Sequence, residues 1–304
     1  MAEAEKPPIT ELGLLGLLAL LWGSSYYFAK IALVDLPPMT LAASRVAIAA
    51  VFLLIIMRIV GDKLPRDGRT WRMLFVQACF NSILSWSILA WGQQHIDVAL
   101  ASVLNSTSPI FVFFITLALV RKAPPGRSLW GACVGLGGVA LIVGGDLADG
   151  VDASLAGCAA ALIGAFLYGC GAVYGKRITG PSSLATATGT MLWATLALVP
   201  VAALVDAPWR LQPGADALYA ATIQGVFCTG AALVLFFRLQ RTLGSMGVAS
   251  QAYLRAGVGA LLGILLLGEQ PTWTIGAGVV LAILGVALIN SGGKSKEKAS
   301  SKTI

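Results

Sequence analysis

The run Gly138-Val139-Ala140-Leu141-Ile142 returns unchanged as Gly285-Val286-Ala287-Leu288-Ile289. Working outward, Trp22-Gly23 and Lys30 recur as Tyr168-Gly169 and Lys176. Gln77 and Phe80 recur as Gln224 and Phe227, and Ala101-Ser102 as Ala249-Ser250. The offset drifts only between 146 and 148 residues, so this is one duplication rather than scattered coincidence. Each copy holds five apolar segments of membrane length. Five is odd, so the second copy must enter the membrane from the side opposite the first.

Composition forces the membrane reading. The chain is 57% hydrophobic and only 12% charged, with a mean hydropathy of +0.83. A soluble domain carries about 25% charged residues. A bilayer-spanning helix needs about 20 consecutive apolar residues. Ten such segments can be read, near 12–34, 38–57, 73–92, 99–120, 128–145, 155–175, 184–205, 217–237, 248–268 and 275–290. Helices are expected because backbone groups in lipid must be satisfied within the segment, and the alternation of a membrane barrel is absent. The fold class is therefore an all-α membrane protein of ten helices in two inverted five-helix repeats, 12–145 and 155–290. A linker, 146–154, joins them between polar tails at 1–11 and 291–304. Inverted repeats of this kind build secondary transporters, with a substrate site where the halves meet.

The formal charge of +7 is sorted by loop. Seventeen of the 21 Lys and Arg fall on the side of the N-terminus, chiefly in the 58–72 and 121–127 loops and the tail. The other side has Lys30 and Arg210, and Arg45 and Arg255 lie within spans. That asymmetry predicts both termini in the cytoplasm and the Asp146–Asp152 linker outside. It argues for lipid as the partner of the basic residues and against nucleic acid. The first apolar run is too long for a cleavable signal peptide.

Several chemistries lack their residues. The five cysteines all fall within spans, without metal-ligand spacing. The one histidine, His95, lies in a short outer loop. No cluster suits a metal or a catalytic triad, so neither metal, cofactor nor enzyme activity is expected. No phosphate-binding loop occurs, so no ATP is expected to drive the chain. Glu11, Asp35, Asp97 and Glu269 all sit near span ends, leaving no proton-relay carboxylate at mid-depth.

The polar residues of the spans form stripes. Gln77, Asn81 and Ser85 recur every four positions in the third span. Ser102, Asn105, Ser106 and Pro109 share a face of the fourth, matched in the ninth by Ser250, Tyr253, Leu254 and Gly257. Trp22, Ser25 and Tyr26 mark the first span, Tyr168 and Gly171 the sixth, and Gln224, Phe227 and Cys228 the eighth. Hydrogen bonds between helices are the plain alternative. Pseudo-symmetric pairing favours a central pocket of aromatic faces, amides and hydroxyls. The candidate substrate-binding residues are Trp22, Tyr26, Gln77, Asn81, Asn105, Tyr168, Phe227, Tyr253 and Arg255. Arg255 could offer charge to a substrate anion, whereas Arg45 reads mainly as an arginine snorkelling to the outer interface. Pro109 and its mate Gly257 are expected to weaken their helices. Gly131 with Gly135, and Gly278 with Ala282, suit close helix packing in the fifth and tenth spans.

Trp22-Gly23-Ser24-Ser25, the two Gly-Val-Ala-Leu-Ile endings and Leu267-Gly268-Glu269 together resemble the EamA-type transporters of the drug/metabolite transporter superfamily. The resemblance covers about residues 12–290. It implies the ten-helix inverted-repeat fold, with the first, third, fourth, sixth, eighth and ninth helices around the cavity. The chain departs from the family pattern at Gly257, where proline is common, and at Arg121, the mate of Glu269. Within the superfamily it is similar to the aromatic amino-acid exporters. That implies a small-molecule substrate, an amino acid, exported by alternating access across a bacterial inner membrane. Transport of sugar-phosphates or nucleotide-sugars is the alternative, and it requires Arg45 and Arg255 to meet an anion in the cavity. A membrane scaffold or intramembrane enzyme ranks third.

Overall fold

The computed structural model describes residues 9–120, 126–148, 155–243, 248, 251–270, 273–281, 283–285 and 288. Residues 1–8, the C-terminal tail, the 146–154 linker apart from its first residues, Arg121 and Ala249-Ser250 lie outside the described residues, and the expected tail residues 9–11 instead begin α1. So do Ala282 and the side chain of Tyr253.

The chain is an all-helical membrane protein, and the described residues contain no strand. Helix α1 spans Ile9–Ala32 and α2 Pro38–Val60. The third span is α3 (Gly68–Ala78), a π-helical stretch (Cys79–Ile83) and α4 (Leu84–Gly92). The fourth is α5 (Val98–Asn105) followed by α6 (Ser108–Val120), and then comes α7 (Gly126–Ala148). The second copy supplies α8 (Leu155–Gly175), α9 (Ser183–Asp206) and α10 (Ala215–Gly225). A second π-helical stretch (Val226–Ala231), α11 (Ala232–Thr242) and α12 (Gln251–Leu267) complete it. Seven helical segments are long and apolar enough to cross a bilayer. Shorter apolar helices, Leu129–Gly138, Leu254–Leu267 and Trp273–Gly285, fall where the fifth, ninth and tenth spans are expected.

Local chemistry sets the helix ends. Pro37-Pro38 starts α2, where a missing N–H costs nothing. Gly61 ends it at φ 75, an αL position suited to glycine. Asp67 caps α3 by accepting from the Thr70 amide at 2.7 Å, and Ser182 caps α9 by accepting from Ala185 at 2.8 Å. Gly268, at φ 68, closes α12. It turns the chain so that the Glu269 carboxylate accepts from the Val98 and Ala99 amides at 2.7 and 2.9 Å. The end of α12 thus caps the start of α5.

The duplication is visible in the packing. The two π-helical stretches begin at Cys79 and Val226, equivalent positions of the repeat. Helix α1 packs on α12 as α8 packs on α6. Helix α1 also packs on α11 as α8 packs on α4, and α2 lies against its own mate α9. Each of the helices α1 to α6 thus finds its main partner in the second copy. Small residues permit the closest crossings: a Cβ on Gly285 would lie 2.5 Å from the Gly135 nitrogen and 2.6 Å from the Gly131 oxygen. Outside, Val51, Leu196, Val205 and Leu265 are exposed, a surface suited to lipid and not to water.

The fourth span breaks where expected, at Ser106–Thr107, just before Pro109. Gly257 does not repeat this. Helix α12 runs through it unbroken, and its Cβ position faces open space. A glycine keeps its N–H and so lacks proline's power to stop the backbone ladder.

Candidate functional site

A narrow cavity of about 30 Å³ lies between the two copies. Helix α1 gives Trp22, Ser25, Tyr26 and Ala29; α2 gives Leu41, Ala42 and Arg45. The α4 segment contributes Trp86, Leu89, Ala90 and the following Gln93. From the second copy come Tyr168, Gln224 and Arg255.

Proline chemistry places Arg255. In an unbroken helix the Asn105 carbonyl would accept from the amide of residue 109, but Pro109 has none. Arg255 takes the vacated acceptor, Nη2 donating to Asn105 O at 2.9 Å, while its Nε donates to Ser106 Oγ at 3.2 Å. Its guanidinium also lies 5.9 Å from the Trp22 ring and 6.0 Å from the Tyr168 ring. Arg45 is placed by a π-helical residue. Its Nε donates to Thr229 Oγ1 at 2.7 Å, and Thr229 donates onward to Gln224 O at 2.8 Å. Its guanidinium lies 4.0 Å over the Trp86 ring, a close cation–π contact. Trp86 Nε1 donates to the Tyr168 hydroxyl, so one ring pair lies between the two arginines.

Neutral groups complete the frame. Gln224 Nε2 donates to Ser25 O at 2.9 Å. Gln93 Nε2 donates to Tyr26 O at 3.2 Å. Asn105 Nδ2 donates to the Tyr26 hydroxyl. Among the described residues, no Asp or Glu lines the cavity.

The expected site residues divide. Trp22, Tyr26, Tyr168 and Arg255 line the cavity. Asn105 stands one layer behind, joining Tyr26 to Arg255. Gln77 and Asn81 are buried but do not line it. Gln77 lies against Gly171 and Gly175, and its side-chain nitrogen and oxygen have no hydrogen-bond partner. Gly175 borders a second hollow, with Lys176, Thr186, Gln240 and Arg241 around it. Phe227 does not line the cavity either, and it is 53% exposed. Tyr253 belongs to α12, and its side chain is outside the described residues.

For residues within or beyond the π-helical stretches one cause explains the misplacement, whereas Gln77 lies before its stretch. The third and eighth spans were phased at a constant 3.6 residues per turn, but each contains a π-helical stretch. The wider turn rotates everything beyond it. The cavity face of the third span passes from the Gln77–Ser85 stripe to Trp86, Leu89, Ala90 and Gln93. Arg45 is the second correction. Its side chain turns into the protein toward Thr229 and Trp86 and does not snorkel to the interface. The missed signal was the absence of any acidic partner at its depth.

At the opposite end of α1, Glu11 accepts from Arg238 Nη2 at 3.1 Å and from Thr242 Oγ1 at 3.0 Å. This is the sole ion pair among the described residues. It ties the start of α1 to the end of α11.

The sequence pattern of the EamA-like transporter family matches residues 11–144 and again residues 155–291. The chain belongs to the EamA-like transporter family. It is 26% identical over 281 residues to the Escherichia coli (strain K12) protein named uncharacterized inner membrane transporter YedA. That match covers 91% of this chain and 90% of the relative. It is 26% identical over 275 residues to a probable terminal-alkyne amino-acid exporter of Streptantibioticus cattleyicolor, covering 88% of this chain and 89% of the relative. A solved crystal structure shares the fold with a TM-score of 0.69, at 16% identity over 94% of this chain and 99% of that one. The chain is thus a membrane transporter of this family.

Proposed function

We propose that this transporter exports amino acids with apolar or aromatic side chains, and related carboxylate-bearing metabolites, across an inner membrane. The cavity carries the reading: ring faces of Trp22, Tyr26, Trp86 and Tyr168 beside two guanidinium groups. Aromatic faces suit an apolar side chain, and arginine's planar fork suits a carboxylate. The name of the Streptantibioticus relative, an amino-acid exporter, supports the same cargo.

The mechanism we infer is alternating access. Two inverted halves, 12–145 and 155–290, rock about the cavity between them. The cavity draws on the Ala32 end of α1, the Pro38 end of α2 and the Gly92 end of α4. At the Ile9 end, the Glu11–Arg238 pair holds α1 to α11. This arrangement suits a conformation open toward the Lys30 face and latched at the other. With both termini cytoplasmic, the open side is the outside.

A second reading, transport of sugar-phosphates or nucleotide-sugars, is favoured by one observation: Arg45 and Arg255 line the same cavity. Purified protein in liposomes, loaded with phenylalanine or with a hexose phosphate, separates the two. Efflux of phenylalanine dependent on Trp22 and Arg255 supports the first. Efflux of hexose phosphate alone replaces it with the second.

A further inference from the structure

We infer that, among the carboxylate-bearing metabolites the export reading admits, the central cavity prefers a small organic dianion with a ring-sized apolar body over a zwitterionic amino acid. The inference rests on the transport reading above and sharpens the charge of the cargo.

Two guanidinium charges line the cavity, and neither has a carboxylate partner among the described residues. Arg45 uses its Nε on Thr229. Its two terminal nitrogens make no hydrogen bond among the described residues. Arg255 is 3% exposed and spends Nε and one terminal nitrogen on Ser106 and Asn105. The other terminal nitrogen makes no hydrogen bond among the described residues. Each arginine therefore keeps donors for a ligand. The groups stand on either side of the hydrogen-bonded Trp86–Tyr168 pair. A ligand spanning that pair meets both.

The described carboxylates are engaged elsewhere or lie outside the cavity. Glu269 caps α5, Glu11 holds Arg238, and Asp206 accepts from Thr40. Asp35 accepts from the Gly214 amide, and Asp97 is exposed. Two positive charges at membrane depth, softened only by ring faces and neutral hydroxyls, are costly. A zwitterion brings no net charge to offset them, and its ammonium would enter a doubly positive site. One spare acceptor of the cavity is the amide oxygen of Gln224, buried without a partner. It can take a neutral N–H or O–H but cannot balance an ammonium. A dianion cancels both guanidinium charges while its body stacks on the rings. A dicarboxylate and a phosphate monoester share this chemistry.

The test uses the full chain in lipid nanodiscs, with quenching of intrinsic tryptophan fluorescence as the readout and proteoliposome efflux in parallel. The probes are phenylsuccinate, phenyl phosphate, phenylalanine and phenylalanine amide. At least one dianion should bind about tenfold more tightly than phenylalanine or better, and the amide should bind least. Arg45→Gln and Arg255→Gln should each abolish that preference. The wild-type ranking is decisive on its own, so a variant that fails to fold leaves the test intact. Which dianion wins separates a dicarboxylate from a phosphate ester. Phenylalanine binding as tightly as both dianions, and moving in liposomes, overturns the charge assignment and leaves the transport reading standing. A dianion preference without efflux of any probe overturns transport and keeps the anion site. Absence of both binding and efflux overturns both.

Discussion

Arg255 donates to the carbonyl oxygen of Asn105 at 2.9 Å, the acceptor that Pro109 leaves without an amide. A helix-breaking residue in the first copy therefore fixes a charged side chain of the second. Restoring the amide should undo this. In Pro109→Ala, residue 109 can donate to Asn105, and the helix gains up to about 3 kcal/mol of interior propensity. We expect a higher melting temperature together with weaker ligand binding in the cavity, because Arg255 loses its anchor. A variant that is both more stable and equally tight in binding would separate Pro109 from the site.

Trp86 connects the arginines through its face on Arg45 and its indole N–H on Tyr168. Trp86→Phe keeps a ring for Arg45 and removes the hydrogen bond, worth about 1 kcal/mol. Ligand affinity should fall about fivefold, with little change in melting temperature. Trp86→Ala should cost more in both, since it also leaves a hole in the wall. Equal effects of the two substitutions would mean that the ring face contributes nothing.

How far the sequence reaches can be seen at these residues. Composition and the 146–148 offset reveal the helical membrane fold, because lipid leaves the backbone few choices. Trp22, Tyr26, Tyr168 and Arg255 were legible because no irregular turn separates them from the phase of their own helices. Phe227 and Trp86 were not, because each lies in or past a π-helical stretch that fixed periodicity ignores. Arg45 was misread because depth alone does not reveal which way a long side chain turns. Its partner Thr229 is 184 residues away in the chain.

Gly285 should tolerate no side chain. An added Cβ would meet backbone atoms of Gly131 and Gly135 at 2.5–2.6 Å, and backbone cannot yield as a side-chain tip can. We expect Gly285→Ala to cost about 2 kcal/mol, read as a clear drop in melting temperature. Gly137→Ala is the control. Nothing lies within 4 Å of its Cβ position, so helix propensity should make it neutral or stabilising by about 1 kcal/mol. If both substitutions behave alike, the contact at Gly285 is not tight.

The sidedness of the proposed export follows from the distribution of Lys and Arg. A reporter fused at Lys294 should give a cytoplasmic signal, and one inserted at Gly150 an external one. The reverse result would turn the open end of the cavity toward the cytoplasm. The protein would then be latched on its outer side by Glu11 and Arg238.

Glu269 decides between proton coupling and facilitated flux. It is the acidic residue of the Leu267-Gly268-Glu269 turn, and among the described residues no acid lines the cavity. Its two oxygens accept from the Val98 and Ala99 amides, and its own amide donates to Gly263 O at 3.1 Å. A carboxylate used this way is a helix cap. Glu269→Gln keeps the shape but weakens two charge-assisted bonds, and Glu269→Ala removes them. We expect losses of about 1 and 2 kcal/mol of stability respectively. For the surviving folded fraction, downhill efflux per molecule should remain close to wild type. Efflux from liposomes should also persist after the pH gradient is collapsed, because no described carboxylate is placed to carry a proton through the cavity. If collapsing the gradient stops wild-type flux while a steep substrate gradient remains, the facilitated mechanism fails. If Glu269→Gln then restores gradient-independent flux without changing stability, the capping carboxylate is itself the proton carrier.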